Sequence, residues 1–137
     1  MNPIKIAKLD HVVLRVADIE KSIRFYRDIL GCPEARIRED TGLYQFQAGG
    51  SMIDLVPLDG KLGTRPGYGP PTAGRNMDHF ALTLSEFDEE ALTSYLEKNG
   101  VKVTKSGMRF GAEGTGPSVY FEDPDGNEVE LKGPSTE

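Results

Sequence analysis

The sequence predicts an α+β fold made of two tandem βαβββ modules. Leu9-Asp10-His11, followed by an apolar run, recurs as Met77-Asp78-His79 before a second such run. Near the end of each half, Ile53-Asp54-Leu55 is answered by Val129-Glu130-Leu131. Between these points, each half passes from two-residue alternation, typical of a strand, to helical spacing and back to short strand patterns. A repeat found in two copies favours one duplicated module.

The first module opens with a strand and a helix. From Asp10 to Val16 the residues alternate, so that the apolar side chains of Val12, Leu14 and Val16 share one face. Asp18 is a suitable N-cap for a helix over Ile19–Leu30, and Gly31 stands where a left-handed C-cap is expected. Three further strands complete this module: Glu34–Glu39, Leu43–Ala48 and Ser51–Pro57.

The second module repeats this order after a strand over Asp78–Leu84. Its helix is predicted over Asp88–Lys98, with Gly100 as the cap. The remaining three strands are predicted at Val101–Ser106, Ser118–Glu122 and Glu128–Lys132. Asp-Pro-Asp-Gly-Asn at 123–127 is a strong turn signal before the last strand.

Two glycine-rich stretches are interpreted as loops within a single domain, 1–137. Module 1 covers about 5–58, a Gly/Pro-rich connector covers 59–76, and module 2 covers 77–133. The connector is interpreted as a plain linker, with a substrate lid or a dimer contact as alternatives. The stretch Gly107–Pro117 contains four glycines and is predicted to be a mobile rim.

Composition narrows the class of partner. The chain has 137 residues, a net charge of −6 and a pI near 5.0, which disfavours nucleic acid and anionic membranes. No stretch approaches the roughly 20 apolar residues that span a bilayer, so a cytoplasmic location is expected. The single cysteine, Cys32, is expected to be a buried hydrophobe. A small molecule or another protein is therefore the expected partner.

Four side chains form a candidate metal centre. Strand alternation, fixed by the apolar residues, places His11, Asp54, His79 and Glu130 on the non-core faces of their strands. Imidazole and carboxylate donors suit a divalent ion, and zinc, nickel, manganese, cobalt and iron are not distinguished by this set. Asp54 can ligate, bind through water or only line the pocket. The alternative is that each histidine is simply a polar residue at a strand end.

The strand motif from Asp10-His11 to Leu14-Arg15-Val16, the helix up to Gly31 and the segment Phe121–Leu131 resemble the vicinal oxygen chelate superfamily. This superfamily includes glyoxalase I, fosfomycin-resistance and bleomycin-resistance proteins, methylmalonyl-CoA epimerase and extradiol dioxygenases. The resemblance implies paired modules forming a curved, incompletely closed mixed sheet around a metal cleft, with helices outside. It also implies a homodimer, with the cleft formed within one chain or across two.

The resemblance to glyoxalase I implies roles for particular residues. Its four metal ligands match His11, Asp54, His79 and Glu130, with Asp54 standing where glyoxalase I has a glutamate. Arg15 matches an arginine that contacts the carboxylate of glutathione, although it can equally be a solvated arginine paired to an acid. The implied activity is that of a lyase or isomerase acting on a small oxygen-rich substrate, with Glu130 as metal ligand and catalytic base.

Other branches of the superfamily give two alternatives. Ser118-Val119-Tyr120-Phe121 resembles fosfomycin-type thiol transferases, which would add a thiol cosubstrate, although Val13 stands where those proteins usually have threonine. A drug-binding protein of the bleomycin-resistance kind would need no metal ligands. Arg109, in the predicted rim, and Tyr120 are the further candidates for substrate binding. Ring cleavage is disfavoured because both histidines of the chain are already assigned to the metal.

Overall fold

A computed structural model describes residues 2, 5–64 and 77–137 of the chain. It forms two compact units, Met1–Tyr68 and Gly69–Glu137. Within the described residues the strands are β1 His11–Val16, β2 Glu34–Arg38, β3 Leu43–Ala48, β4 Ser51–Pro57, β5 His79–Thr83, β6 Lys105–Gly111, β7 Gly114–Glu122 and β8 Glu128–Lys132. The helices are α1 Ile19–Ile23, which continues as a π-helical segment over Arg24–Ile29, and α2 Glu89–Lys98.

Each unit contains one four-stranded mixed sheet with the same topology. The strand order is β1-β4-β3-β2 in the first unit and β5-β8-β7-β6 in the second. The first strand of each unit runs parallel to the last, and the other neighbouring strands are antiparallel. The predicted fold class, α+β with two tandem βαβββ modules, is therefore confirmed.

The apolar face of each sheet packs into its own core. The buried residues of the first unit include Leu14, Val16, Phe25, Tyr26, Phe46, Ile53 and Leu55, and those of the second include Leu96, Val119, Phe121, Val129 and Leu131. Because alternate residues of a strand face opposite sides, this burial turns the intervening polar residues toward the other face of each sheet. The orientation predicted for the candidate ligands depends on this alternation.

The first helix differs from the regular α-helix predicted over Ile19–Leu30. After Ile23 the backbone widens into π-helical turns, and the Leu30 N–H donates to the Phe25 carbonyl oxygen. Phe25 and Tyr26 of this segment are buried, and their rings pack edge to face 4.9 Å apart. The same apolar positions also fit a period of 3.6 residues, so the sequence pattern does not reveal the wider turn.

The second helix agrees with its predicted boundaries. Asp88 accepts a hydrogen bond from the Ala91 N–H, which is an N-cap. At the other end Gly100 has a φ of 80°, and the Val101 N–H donates to the Leu96 carbonyl oxygen. This is a Schellman C-cap, which requires the left-handed backbone that glycine readily adopts.

Two predictions for the second unit are wrong. The strand expected at Val101–Ser106 begins only at Lys105, and the rim expected over Gly107–Pro117 is the tight hairpin of β6 and β7. Gly111 pairs with Gly114, and the antiparallel register continues to Lys105 opposite Tyr120. Glycine lowers strand propensity, so the composition favoured a loop, but a complete ladder of backbone hydrogen bonds offsets that preference.

The connector lies only partly within the described residues. Residues 59–64 form a turn after β4, in which the Gly60 N–H donates to the Pro57 carbonyl oxygen. The remainder of the predicted connector, 65–76, lies outside the described residues. Cys32 is buried, as expected, and this burial raises the pKa of its thiol. Among the described helices, none is long and apolar enough to cross a membrane.

Candidate metal centre

In the second unit, His79 faces a buried glutamate. The parallel register of β5 and β8 sets His79 opposite Glu128 and Ala81 opposite Glu130. His79 Nε2 lies 3.1 Å from Glu130 Oε1, and Glu130 is only 5% exposed. A buried carboxylate is costly unless a cation or hydrogen-bond donors compensate it. The structure therefore brings two of the predicted ligands together with their donor atoms in contact.

Ser118 fixes the other oxygen of this glutamate. Its hydroxyl donates a 2.6 Å hydrogen bond to Glu130 Oε2, and the serine is fully buried. Ser118 and Tyr120 lie on the same face of β7, with Tyr120 directly opposite Glu130 in the register. Both carboxylate oxygens of Glu130 are thus engaged, so the side chain is held in one orientation.

Asp78 holds the second ring nitrogen of His79. Asp78 Oδ2 lies 2.6 Å from His79 Nδ1. This hydrogen bond raises the pKa of His79 above its ordinary value. The nearby charges of Glu130 and Glu128 also raise the pKa, whereas partial burial lowers it. The protonated ring donates from Nδ1 to Asp78 and from Nε2 to Glu130, and in the neutral ring a proton kept on Nδ1 leaves the lone pair of Nε2 available for a metal. A carboxylate on the other nitrogen is the usual arrangement around a histidine that binds a metal.

A second grouping of acidic ligand atoms shares the same histidine. One donor atom each from Asp78, His79 and Glu128 lies within 4.8 Å of the others. However, the Asp78 side chain is 90% exposed, and Lys105 Nζ lies 3.6 Å from Glu128 Oε1. Glu130 is buried and held in place by Ser118, whereas Asp78 is exposed and Glu128 is paired with Lys105. Nε2, which faces Glu130, is therefore the better candidate for the metal-binding nitrogen of His79.

The first unit repeats the aspartate–histidine pair. His11 Nδ1 lies 2.7 Å from Asp10 Oδ2, so Nε2 is again the nitrogen left for a ligand. The hydrogen bond to Asp10 raises the pKa of His11, and the charge of Asp54 adds to this effect. The structure therefore brings His11 and Asp54 within electrostatic reach of each other.

Asp54 is buried and only half satisfied. It is 4% exposed, and its Oδ2 accepts a 3.1 Å hydrogen bond from Gln45 Nε2. Arg36 Nε in turn donates to Gln45 Oε1 at 2.9 Å, which fixes the glutamine amide. Asp54 Oδ1 has no hydrogen-bond partner among the described residues. Such a buried acceptor without a partner is uncommon and calls for a missing ligand, ion or water.

Arg15 lies half-buried on β1 of the same unit. Its Nη2 donates to the Gly63 carbonyl oxygen at 3.1 Å. A Cβ on Gly63 would overlap the Pro57 carbonyl oxygen, so only glycine permits this turn to approach the sheet so closely. The backbone of the connector thus orients the arginine that was predicted to bind substrate.

Two cations flank Tyr120 beside His79 and Glu130. Arg109 Nε donates to the Tyr120 hydroxyl at 3.1 Å, and Lys105 Nζ lies 4.6 Å from the ring centroid. The rings of Tyr120 and His79 meet edge to face at 5.6 Å. Burial raises the pKa of Tyr120, as does its hydrogen bond to Glu130, whereas Arg109 opposes the shift. Of the two predicted substrate-binding residues, Tyr120 therefore contacts His79 and Glu130, and Arg109 contacts Tyr120.

Comparison with known proteins agrees with this architecture. The model of the Glyoxalase/Bleomycin resistance protein/Dioxygenase superfamily matches residues 8–131. The chain belongs to this superfamily. The resemblance to vicinal oxygen chelate proteins, stated from the sequence motifs, is thereby confirmed.

Among similar proteins of this superfamily, the fosfomycin-related ones recur. The glutathione transferase FosA of Serratia marcescens is 34% identical, over 90% of this chain and 78% of its own length. The metallothiol transferase FosB of Staphylococcus haemolyticus is 31% identical, over 90% and 81%. A mutant of the fosfomycin resistance protein FosX of Listeria monocytogenes, in complex with Mn(II) and 1S,2S-dihydroxypropylphosphonic acid, has a similar fold. It shows a TM-score of 0.69 at 23% identity, over 96% of this chain and 94% of its own.

Sequence reasoning missed several residues of this superfamily member's candidate site. Ser118, Lys105 and Gln45 received no role, although each contacts a candidate residue. Strand alternation was available for Ser118, because it lies two residues before Tyr120. Lys105 was predicted to lie in a strand, but its position opposite Tyr120 depends on the register of β6 and β7. The aspartates before both histidines were noticed as a repeat, but their contacts with Nδ1 needed the structure.

Proposed function

We propose that this protein is a divalent-metal-dependent enzyme that adds a thiol to a small oxyanion-bearing substrate. The observation that carries the proposal is the contact of His79 Nε2 with the buried Glu130, which also accepts a hydrogen bond from Ser118. Tyr120 lies beside this pair, with Lys105 and Arg109 next to its ring. These residues combine metal-binding donors with positive charge for an anionic substrate.

His79 and Glu130 fit a divalent metal, and His11 is proposed as the third ligand. Their nitrogen and oxygen donors suit zinc, nickel, manganese, cobalt or iron, and no costly thiol deprotonation is required. When bound, such an ion would act as a Lewis acid on a substrate oxygen. His11 would come from the first unit of the same chain or of a second copy in a homodimer. The half-satisfied Asp54 is proposed as the fourth ligand.

Thiol transfer is favoured over isomerisation by the way Glu130 is held. An isomerase base must reach two neighbouring carbons of the substrate in turn, whereas the 2.6 Å hydrogen bond from Ser118 and the contact with His79 hold the Glu130 carboxylate in one orientation. The FosA and FosB relatives are named as thiol transferases. In the proposed reaction with an epoxide, the thiolate sulfur forms a bond to carbon and the carbon–oxygen bond breaks. The released oxygen takes up a proton.

The residues around Tyr120 would bind and orient that substrate. The Tyr120 hydroxyl accepts a hydrogen bond from Arg109 and donates one to Glu130, so the phenol would hold the guanidinium beside the candidate metal ligand. Arg109 and Lys105 supply positive charge beside it. Arg15, held by the Gly63 carbonyl oxygen, is proposed to contact an acidic group of the thiol cosubstrate.

A glyoxalase-like lyase or isomerase is the second candidate. The specific observation that favours it is the buried, half-satisfied Asp54, which stands where glyoxalase I has a carboxylate ligand from its first module. In this alternative Glu130 would be both ligand and catalytic base. The bond from Ser118 is the feature that this alternative explains less well.

The test is an activity screen on protein stripped of metal and then reloaded with single divalent ions. Fosfomycin would be incubated with glutathione, with L-cysteine and without thiol, and ³¹P NMR would follow the product. We expect a thiol adduct that requires metal and is lost in Glu130→Gln. A hemithioacetal would be tested in a parallel incubation, and its conversion in the absence of a fosfomycin adduct would favour the lyase. Opening of the epoxide without thiol would indicate hydration. Absence of metal binding in the folded protein would instead indicate a drug-binding protein.

A further inference from the structure

Gly107 lies beneath the end of the Arg109 side chain. The two residues are on the same face of β6, and Gly107 pairs with Ser118 of β7. A Cβ built on Gly107 would overlap Arg109 Nη1 and would lie 3.1 Å from Cζ and 3.2 Å from Nη2. The guanidinium therefore occupies the space that any other residue at 107 would fill.

Two hydrogen bonds hold the guanidinium over that glycine. Arg109 Nε donates to the Tyr120 hydroxyl at 3.1 Å, and Nη1 donates to the Met108 carbonyl oxygen at 2.9 Å. A guanidinium carries five N–H groups, so these two bonds leave others for a ligand. The planar group is thus oriented before any substrate arrives.

Two cations lie beside Tyr120 on this face of the hairpin, where the Lys105 ammonium also lies 3.6 Å from Glu128 Oε1. Lys105, two residues before Gly107, places its ammonium 4.6 Å from the Tyr120 ring centroid, and Arg109 Cζ lies 5.4 Å from the same centroid. Planar guanidinium groups bind carboxylates and phosphate-like oxyanions through paired hydrogen bonds. The remaining N–H groups of Arg109, together with the ammonium of Lys105, suit an oxyanion better than a neutral ligand.

From these contacts we infer that Gly107 is a specificity-determining position, whose missing side chain seats Arg109 for recognition of a substrate oxyanion. Phosphonate, phosphate and carboxylate share the chemistry that this arrangement would recognise. The inference deepens the proposed function and rests on it for the identity of the reaction. Gly107 touches no reacting atom, so it is a positioning residue that acts through Arg109.

The glycine offers an unusually clean substitution. In Gly107→Ala the new methyl group meets the far end of a flexible side chain, which can move without displacing the backbone. Alanine should also be tolerated in the strand, because glycine is itself a weak strand former. The variant should therefore fold normally while moving the guanidinium away from Tyr120.

The experiment is a double-mutant cycle on the metal-free 137-residue chain with inorganic phosphate as the probe. Calorimetric titration would compare wild type, Gly107→Ala, Arg109→Ala and the double variant. Gly50→Ala is the matched control, because a Cβ there meets nothing within 4 Å. We expect each single variant to bind phosphate about tenfold more weakly, the loss expected from a charged hydrogen bond. The double variant should show no further loss, and the control should bind like wild type.

Three results would overturn the inference: no phosphate binding by wild type, unchanged binding by Gly107→Ala, or losses that multiply in the double variant. Circular dichroism and thermal unfolding would verify that all variants are folded. The fosfomycin assay separates this inference from the proposed function. Absence of turnover in wild type, with the phosphate cycle as expected, would refute only the proposed reaction. If turnover occurs, Gly107→Ala should raise KM for fosfomycin with little change in kcat.

Discussion

Asp78 Oδ2 lies 2.6 Å from His79 Nδ1, and the Asp10–His11 pair of the first unit has the same contact at 2.7 Å. In each unit, an exposed aspartate therefore fixes the ring nitrogen that faces away from the predicted ligand position. The repeat seen in the sequence preserves the aspartate together with the histidine. The presence of both residues in each module agrees with a role for the aspartate in orienting a metal-binding imidazole and increasing its basicity.

The first prediction concerns this pair. Asp78→Asn should lower the metal affinity of the protein about 10- to 100-fold, because the imidazole loses the carboxylate that orients it and increases its basicity. Competition with a chromogenic chelator would measure the affinity. Asp59→Asn, at an exposed aspartate in the turn after β4, is the control and should bind metal like wild type. Equal affinity of Asp78→Asn and wild type would exclude a role for Asp78 in metal binding.

A second prediction tests how Glu130 is held. Ser118→Ala removes the 2.6 Å hydrogen bond and leaves a buried carboxylate oxygen unsatisfied. The free energy of unfolding of the metal-free protein should fall by about 1–3 kcal/mol. Urea unfolding would measure it, with Ser106→Ala on the neighbouring strand as the control, because Ser106 is exposed.

Metal should distinguish this effect from simple loss of packing. Where Glu130 binds a divalent ion, the ion compensates its charge, so saturating metal should stabilise Ser118→Ala more than wild type. A destabilisation of the same size with and without metal would count against Glu130 as a ligand.

Strand alternation predicted the orientation of the site residues because apolar side chains fix the buried face of each strand. His79 and Glu130 meet because both lie on the face opposite to Phe80 and Val129. This inference uses only the two-residue period of a strand and the positions of its apolar residues. It therefore survives small errors in strand boundaries.

The β6–β7 hairpin and the π-helical segment were not predictable in the same way. Four glycines between 107 and 116 suggested a loop, but Gly107 and Gly111 make room for the side chains of Arg109 and Lys132. A glycine required by packing and a glycine required by flexibility look the same in a sequence. The π-helical turns likewise share their apolar spacing with an ordinary helix.

The third prediction concerns pH. The pKa of His79 is raised, first by its hydrogen bond to Asp78, so its protonated form stabilises the metal-free fold. That contribution is fully present below the ordinary histidine value of 6.5 and is lost as the pH rises through the raised pKa. Metal binding requires the neutral ring, so metal affinity should change in the opposite direction and fall as the pH decreases through the same window.

Unfolding of the metal-free protein and chelator competition, both measured as functions of pH, would check these opposite trends. Asp78→Asn removes the main cause of the raised pKa, so its transition should lie at lower pH than that of wild type. Asp40→Asn serves as the control, since Asp40 pairs with Arg38 and does not contact a histidine in the described part of the chain. Parallel pH trends for stability and metal affinity would contradict the assignment of His79 as a ligand.

The fourth prediction concerns the half-satisfied Asp54. Its Oδ1 is buried without a hydrogen-bond partner among the described residues, so the metal-free fold carries the cost of an uncompensated acceptor. Above the raised pKa of His11, the ring is neutral and does not compensate the charge of Asp54. Under these conditions Asp54→Asn should stabilise the metal-free fold by about 1 kcal/mol, because a neutral group is less costly to bury. The same variant should bind metal more weakly than wild type, because the charged donor is lost.

Asp54→Glu should retain a carboxylate at this position and bind metal more tightly than Asp54→Asn. Urea unfolding would measure the stability, and chelator competition would measure the metal affinity. A gain in stability with unchanged metal affinity would show that Asp54 only lines the pocket. A loss of stability would show that the Asp54 carboxylate is already satisfied in the metal-free protein.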